Sequence, residues 1–299
     1  MRFTPPGPHE RRRAIGLTEE CAERLRKALE PGGDFRLIPQ PGPHDWLANH
    51  DEPGQSFEDF VRSRPNEPDD VWKRIYLQPL GELPAGKGPP LERLVQFAEA
   101  FFAMDVAILP MAELAAGEIT TRANPYTGQV QLLTGDILAY LRRRVPDDAY
   151  CVLGITVYDL YPDPAWNFVF GQASLRDGIG VYSFARYDPA FYGEQVEDAE
   201  KLILRRCCKV LAHETAHMFG IQHCIFFHCL MNGSNHLEES DARPLHLCPV
   251  DLRKLHFSVG FDVVDRYRRL HDFCAAVGFD DEARWLAERH ERVGGSFSP

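Results

Sequence analysis

Hydrophobic and polar positions alternate without a clear period over the first ninety residues and regularly after them. The irregular part offers only short elements: a helix over Leu17–Leu29, another near Phe57–Arg62, and a strand at Arg74–Gln78. From Leu91 to Met104, residues Leu91, Leu94, Val95, Phe97, Phe101 and Phe102 recur at helical spacing, and Val106–Leu109 follows as a short strand. Val130–Leu133 reads as a strand and Asp136–Arg144 as a helix, with Thr134 as its cap because a Thr oxygen can accept from free first-turn amides. Tyr150–Tyr158 is an almost unbroken apolar run, the pattern of a strand covered on both faces. Asn167–Ala173 and Gly180–Phe184 are further strands joined by SLRDG, whose Asp177-Gly178 pair suits a tight turn. Val196–Phe219 has the length and spacing of a long helix that Gly220 can end. Asp251 to about Glu291 is helical again through Leu255, Phe257, Val263, Tyr267, Leu270 and Phe273, and the tail GGSFSP reads as disordered. The order helix, strand, strand, helix, strand predicts an α+β architecture, a mixed sheet with helices packed on it.

Composition adds boundaries to this picture. A chain of 299 residues that is 44% apolar buries a sizeable core, which excludes disorder for most of it. With 44 acidic against 33 basic side chains, net −11, it is not built to neutralise phosphates, so nucleic acid is not an expected partner. Arg11–Arg13 and Arg142–Arg144 are short enough to be solvated surface runs. Of 23 prolines, 14 lie in the first 90 residues. Residues 1–89 are therefore expected to form a Pro-rich extension packed on the core, and 90–299 the main domain. The opening MRFTPPGPHERRRAIG has no apolar signal core, and no apolar run of about 18 residues occurs. These absences predict a soluble cytoplasmic chain with no membrane partner. Six of the twelve His and five of the eight Cys fall between Cys207 and Cys248, and clustered thiols in a reducing compartment more often hold metal than form bridges.

Within that cluster, His213-Glu214-Thr215-Ala216-His217-Met218-Phe219-Gly220-Ile221-Gln222-His223 has the spacing of a metal site. Two His four apart share one helical face, Gly220 lets the chain leave the helix, and His223 can supply a third nitrogen. Three imidazoles leave the fourth tetrahedral position for water, as a catalytic zinc requires, and Glu214 places a carboxylate beside the metal without ligating it. Cys207 and Cys208, mid-helix, read as packing residues.

HExxHxxGxxH is the metzincin signature, and its continuation here into Cys224, Cys229, Met231 and Cys248 resembles the archaemetzincins, which add a cysteine-based second zinc site. GITVYDLYP, WNFVFGQAS, VYSFARY, GSNHLEE and RPLHLCPVDLRKL resemble segments of the longer, eukaryotic-type members, over residues 90–270 and back to DWLANHDEPGQSFEDF and IYLQPLG. The resemblance implies a metzincin-like zincin fold with a long active-site helix, a Cys-rich second site and C-terminal helices. It implies that His213, His217 and His223 hold the catalytic zinc, that Glu214 is the general base, and that Met231 is the methionine of the turn beneath the ligands. The WNFVFGQAS strand would be the edge along which an extended peptide pairs. Where the family closes its second site with Cys-x-x-Cys, this chain has Cys248-Pro249-Val250-Asp251. Cys224, Cys229, Cys248 and Asp251 are the expected ligands of a structural zinc, with His228, His246 or water as alternatives to Asp251. The expectation is thus a monomeric peptidase with two Zn2+ per chain that hydrolyses peptide bonds in peptide or protein substrates. Asn232, Ser234, Asn235 and His236 are candidates for a second electrophile. A zinc-binding interaction protein without turnover, and a hydrolase of a non-peptide amide or ester, are the competing readings. The negative charge hints that strongly acidic peptides are poor substrates.

Overall fold

The computed structural model describes residues 3–84, 86–113, 117–174 and 177–296. Residues 175 and 176 of the expected SLRDG turn and 297–299 of the tail lie outside the described residues. In chain order the elements are α1 (Pro8–Ile15), α2 (Glu23–Leu29), α3 (Trp46–Asn49), α4 (Phe57–Arg62), β1 (Arg74–Pro79), α5 (Leu91–Phe102), β2 (Asp105–Ile108), β3 (Thr121–Ala123), β4 (Val130–Leu133) and α6 (Thr134–Arg142). They continue with β5 (Ala149–Thr156), β6 (Asp159–Tyr161), β7 (Gly171–Ser174), β8 (Ile179–Ser183), α7 (Ala199–Met218), α8 (Leu237–Ala242), α9 (Pro249–Val259), α10 (Val263–Ala276) and α11 (Asp280–Arg292). The fold is mixed α/β. Contacts group it into two units, one of Met1–Glu67, Ala100–Ala103 and Phe219–Pro299, the other of Pro68–Glu99 and Met104–Met218.

The second unit holds the sheets. Five strands run in the order β2-β1-β5-β8-β7; the first four are mutually parallel and β7 pairs antiparallel with β8 at the edge. A smaller sheet has the order β3-β4-β6. Parallel strands need cover on both faces, which explains the unbroken apolar run of β5. Val152 and Val181 pack in one core with Ile137 and Leu141 of α6. Gly154 makes that approach possible, since a Cβ there would lie 2.7 Å from Leu80 and 3.1 Å from Leu141. A buried ion pair sits beside this core: Arg186 donates Nε and one terminal nitrogen to the two Asp159 oxygens, both at 2.8 Å, and Gln131 donates to Asp159 Oδ2 at 2.8 Å. Helix α7 packs on β5, β7 and β8.

The first unit is helical. Helices α1, α2 and α4 pack on α9, while α10 pairs with α11. Arg289, almost fully buried, ties the two ends of this unit's sequence by donating to Asp34 Oδ2 at 2.7 Å and to the Ala28 carbonyl at 2.6 Å. A buried guanidinium demands such partners, because unpaired it would cost several kcal/mol or about that.

Several elements differ from their sequence expectation for local reasons. The helix expected from Leu17 begins only at Glu23, because Thr18–Cys21 closes a turn through Cys21 N–H and the Thr18 carbonyl. Thr134 is not a cap: Leu133 is, and the Thr134 hydroxyl donates to Gln172 and to the Tyr161 carbonyl. The strand expected from Asn167 starts at Gly171, since the Asn167 carbonyl is taken by the side chains of Arg122, Asn124 and Gln131. The C-terminal helical tract breaks at Gly260 and Gly278, both at φ +74°.

Candidate metal centres

Helix α7 brings His213 and His217 onto one face, with their Nε2 atoms 3.1 Å apart and ring centroids 4.6 Å apart. Two nitrogens bound to one tetrahedral zinc lie about 3.3 Å apart, so the pair is shaped as two corners of a coordination shell. Glu214, half-buried, follows on the same helix. Cys207 and Cys208 are fully buried on α7, and burial pushes the Cys207 thiol well up.

Beyond α7, Gly220 takes φ +81°, the left-handed geometry that ends a helix without steric cost. The turn is clamped by Gln55, which donates to the Gly220 carbonyl at 3.1 Å and accepts from Gln222 N–H at 3.2 Å. His223 follows, its Nδ1 2.8 Å from Glu52 Oε1. That hydrogen bond holds the Glu52 carboxyl below its ordinary value against the opposing effect of burial. Gln55 and Glu52 both belong to the Pro-rich extension, and no motif in the sequence marks them.

Cys224, Cys229, Cys248 and Asp251 converge, each buried, with ligand atoms all within 4.8 Å of one another. Cys224 Sγ is 3.6 Å from Cys248 Sγ, and Asp251 Oδ2 is 3.4 Å from Cys229 Sγ and 3.3 Å from Cys248 Sγ. Tetrahedral zinc sets sulfur pairs about 3.8 Å apart and sulfur–oxygen pairs about 3.5 Å apart. The four therefore fit a metal ion. Local structure explains the convergence. Cys248 is the N-cap of α9 and Asp251 its third residue, so one helical turn carries both to the same side, at the end of the helix that favours anions. Asn232 closes the Cys224–Cys229 loop, donating to the carbonyls of Cys224 (2.8 Å) and Phe227 (2.9 Å) and accepting from Cys229 N–H at 2.9 Å. Its amide is thus engaged in the loop. Met231 is fully buried, and its carbonyl accepts from Cys224 N–H at 2.8 Å.

Against the effect of burial, hydrogen bonds from Cys229 and Cys248 hold the Cys224 thiol well down, whereas burial pushes Cys229 and Cys248 well up and Asp251 up to about 6. Lys254, one turn further along α9 and 99% buried, donates to Asp251 Oδ1 at 2.9 Å. A single ammonium among three thiols and a carboxyl leaves room for a divalent cation to offset the rest. His246 is placed elsewhere: it stacks on Trp285 with centroids 3.6 Å apart, and burial pushes it down to about 3. A third group, Asp45, His236 and Glu239, is joined by hydrogen bonds: His236 Nε2 meets Asp45 Oδ1 at 2.9 Å, and Glu239 accepts from the N–H groups of Trp46 and Asn235.

The chain thus carries a mostly parallel sheet with an antiparallel edge, a helix presenting paired imidazoles, and a buried cluster of three thiols and a carboxyl. Residues 106–256 match peptidase family M54. Over 275 residues the chain is 40% identical to archaemetzincin-2 of Macaca fascicularis, covering 82% of this chain and 76% of that protein. Archaemetzincin-1 of Mus musculus is 37% identical over 76% of this chain and 51% of its own length. The crystal structure of archaemetzincin from Methanopyrus kandleri superposes with a TM-score of 0.50 at 27% identity, covering 65% of this chain and 99% of that one. The chain belongs to this family, the archaemetzincin zinc metalloproteases.

Proposed function

We propose that the chain hydrolyses peptide bonds in peptide or protein substrates at a zinc held by His213, His217 and His223, and that Cys224, Cys229, Cys248 and Asp251 hold a second, structural zinc. The observation that carries the first assignment is the 3.1 Å approach of the His213 and His217 nitrogens on α7. Bound there, zinc supplies a Lewis acid and a water acidified towards neutrality. Glu214 accepts the proton of the attacking water and returns it to the leaving amine. Met231 packs as the methionine turn beneath the ligands. Substrate pairs in extended form along β7, where the alternation of an antiparallel ladder turns the N–H and C=O groups of Gly171 and Ala173 away from β8. Residues 1–89 serve as a supporting extension of the domain formed by 90–299. The chain acts as a monomer in the cytosol, where a thiolate site stays reduced; no helix among the described residues is long and apolar enough to cross a membrane.

Glu214→Gln tests the catalytic role. Zinc content stays at the wild-type value while turnover of a peptide library falls by about 10²–10⁴-fold. Unchanged turnover with zinc retained would refute the general-base assignment, and a wild type that binds zinc but turns over no peptide would favour an interaction role. Turnover of esters but not peptides by the wild type would redirect the substrate class.

A further inference from the structure

One stretch of the extension, His44 to Glu52, makes a dense set of contacts around His223 that the reaction chemistry does not use. The Trp46 N–H donates to both oxygens of Glu239 in α8, at 2.8 and 3.1 Å. Asn235 Nδ2 donates to the His44 carbonyl at 3.1 Å, and His236 Nε2 meets Asp45 Oδ1 at 2.9 Å. These bonds seat the Trp46 indole edge-on to the His223 ring, with centroids 4.9 Å apart at 81°. Gly233 makes room for the indole: a Cβ there would lie 2.5 Å from its ring. The other face of the indole is covered by His50, stacked at 3.7 Å.

The seat has one chemical outcome. Trp46 Nε1 donates to Glu52 Oε1 at 2.7 Å, and the same oxygen lies 2.8 Å from His223 Nδ1. An ionised carboxylate only accepts, so the proton of the imidazole is on Nδ1 and the lone pair is on Nε2. Glu52 thereby selects the tautomer and the ring direction that a metal ligand needs, and raises the basicity of the coordinating nitrogen. The indole keeps Glu52 Oε1 from swinging away, since it is the second donor to one oxygen.

We infer that Glu52, held by Trp46, is the positioning residue of the third zinc ligand: the Pro-rich extension supplies the outer carboxylate that orients His223 for metal. This inference rests on the assignment of His223 as a ligand of the catalytic zinc. The role is not catalytic, because Glu52 acts through His223.

The test is a chelator titration with zinc counted per chain, on wild type, Glu52→Gln, Trp46→Phe and His223→Ala, alongside melting of the zinc-free proteins. Glu52→Gln keeps the side-chain size and one accepting oxygen but loses the charge. The zinc proposed at His213, His217 and His223 is expected to leave at about 10–100-fold lower chelator concentration than in wild type, with zinc-free melting unchanged and the thiol-bound zinc unaffected. Trp46→Phe should show a smaller shift in the same direction. If His223→Ala loses a zinc and Glu52→Gln titrates like wild type, the positioning role is wrong and the ligand assignment stands. If Glu52→Gln lowers the zinc-free melting temperature as much as the zinc-loaded one, Glu52 is only structural and the inference falls. If His223→Ala titrates like wild type, the three-histidine reading itself fails.

Discussion

Asp251 occupies the position at which a fourth thiolate would complete the buried cluster, and its surroundings show how a carboxylate serves there. One oxygen faces the thiols of Cys229 and Cys248 and the other takes the Lys254 ammonium. The side chain thus divides its two oxygens between a cation that is covalently part of the chain and a place for one that is not. Asp251→Ala removes the proposed ligand and the carboxylate that accepts from Lys254; metal analysis should then find one zinc per chain against the two expected of the wild type. Asp251→Cys restores four thiolates, and its second zinc should resist a chelator at concentrations that strip the wild type. A wild-type count of one would sink the second site. Spacing alone left this ligand open between Asp251, two histidines and water, because sequence separation says nothing of which side chain a loop turns inward. The stack of His246 on Trp285, 39 residues away in the chain, is a tertiary contact with no local signal.

At the level of elements, the edge strand and the helix clamp make separate demands. Gly171 is where β7 opens its pairing with β8, and a Cβ there would meet the Val181 carbonyl at 2.9 Å and Tyr182 Cβ at 3.0 Å. Backbone cannot yield as a flexible side-chain end can, so Gly171→Ala should displace the edge. The expected result is a melting temperature lower by a few degrees, from roughly 1–2 kcal/mol of lost packing, and a raised KM with kcat little changed. The clamp between His44–Glu52 and α8 depends on pH. The hydrogen bond that His236 donates to Asp45, opposed by burial and joined by one to Glu238, raises His236 above its ordinary value of 6.5. A raised folded value means the stabilisation is complete below about pH 6.5 and is lost as pH rises through the folded value. The stability gap between wild type and His236→Gln should therefore be widest at pH 6 and close in the alkaline range; a gap that widens with pH contradicts the sign. Several elements were legible: α4 and β4 have the bounds their sequence suggests, and the periodic helices α5 and α7 differ by at most three residues at either end. The single turn α3 and the three-residue strands β3 and β6 were not, since elements this short hold barely more than one period of a helical or strand pattern and so show no recurrence.

For the molecule as a whole, the first unit is assembled from the two ends of the sequence, residues 1–67 and 219–299. Periodicity is a local property, so the joining of these ends through Arg289, Asp34 and Ala28 could not be read from it. The metal motif was legible for the opposite reason: a helix fixes the offset of His213 and His217 with no help from the rest of the fold. If the buried thiol cluster of the first unit holds the proposed zinc, that unit's stability is a function of metal. Dialysis against a chelator should lower the melting temperature, and zinc at about 100-fold over its dissociation constant should restore roughly 2.7 kcal/mol. Unfolding that ignores zinc would mean the thiols pack without an ion.

On the proposed pairing, the edge strand β7 would also constrain what can be cleaved. Its four half-buried residues would accept about 13 Å of extended chain, and would do so through backbone groups that every peptide carries. Selection along such an edge falls on conformation before it falls on side chains: a segment still wound in a helix or paired in its own sheet has no free backbone to offer. Damaged, nascent or intrinsically unstructured chains present that backbone, whereas a folded protein must first melt locally. Cleavage rates on one substrate sequence should then track its local unfolding equilibrium, which makes this strand a gauge of foldedness.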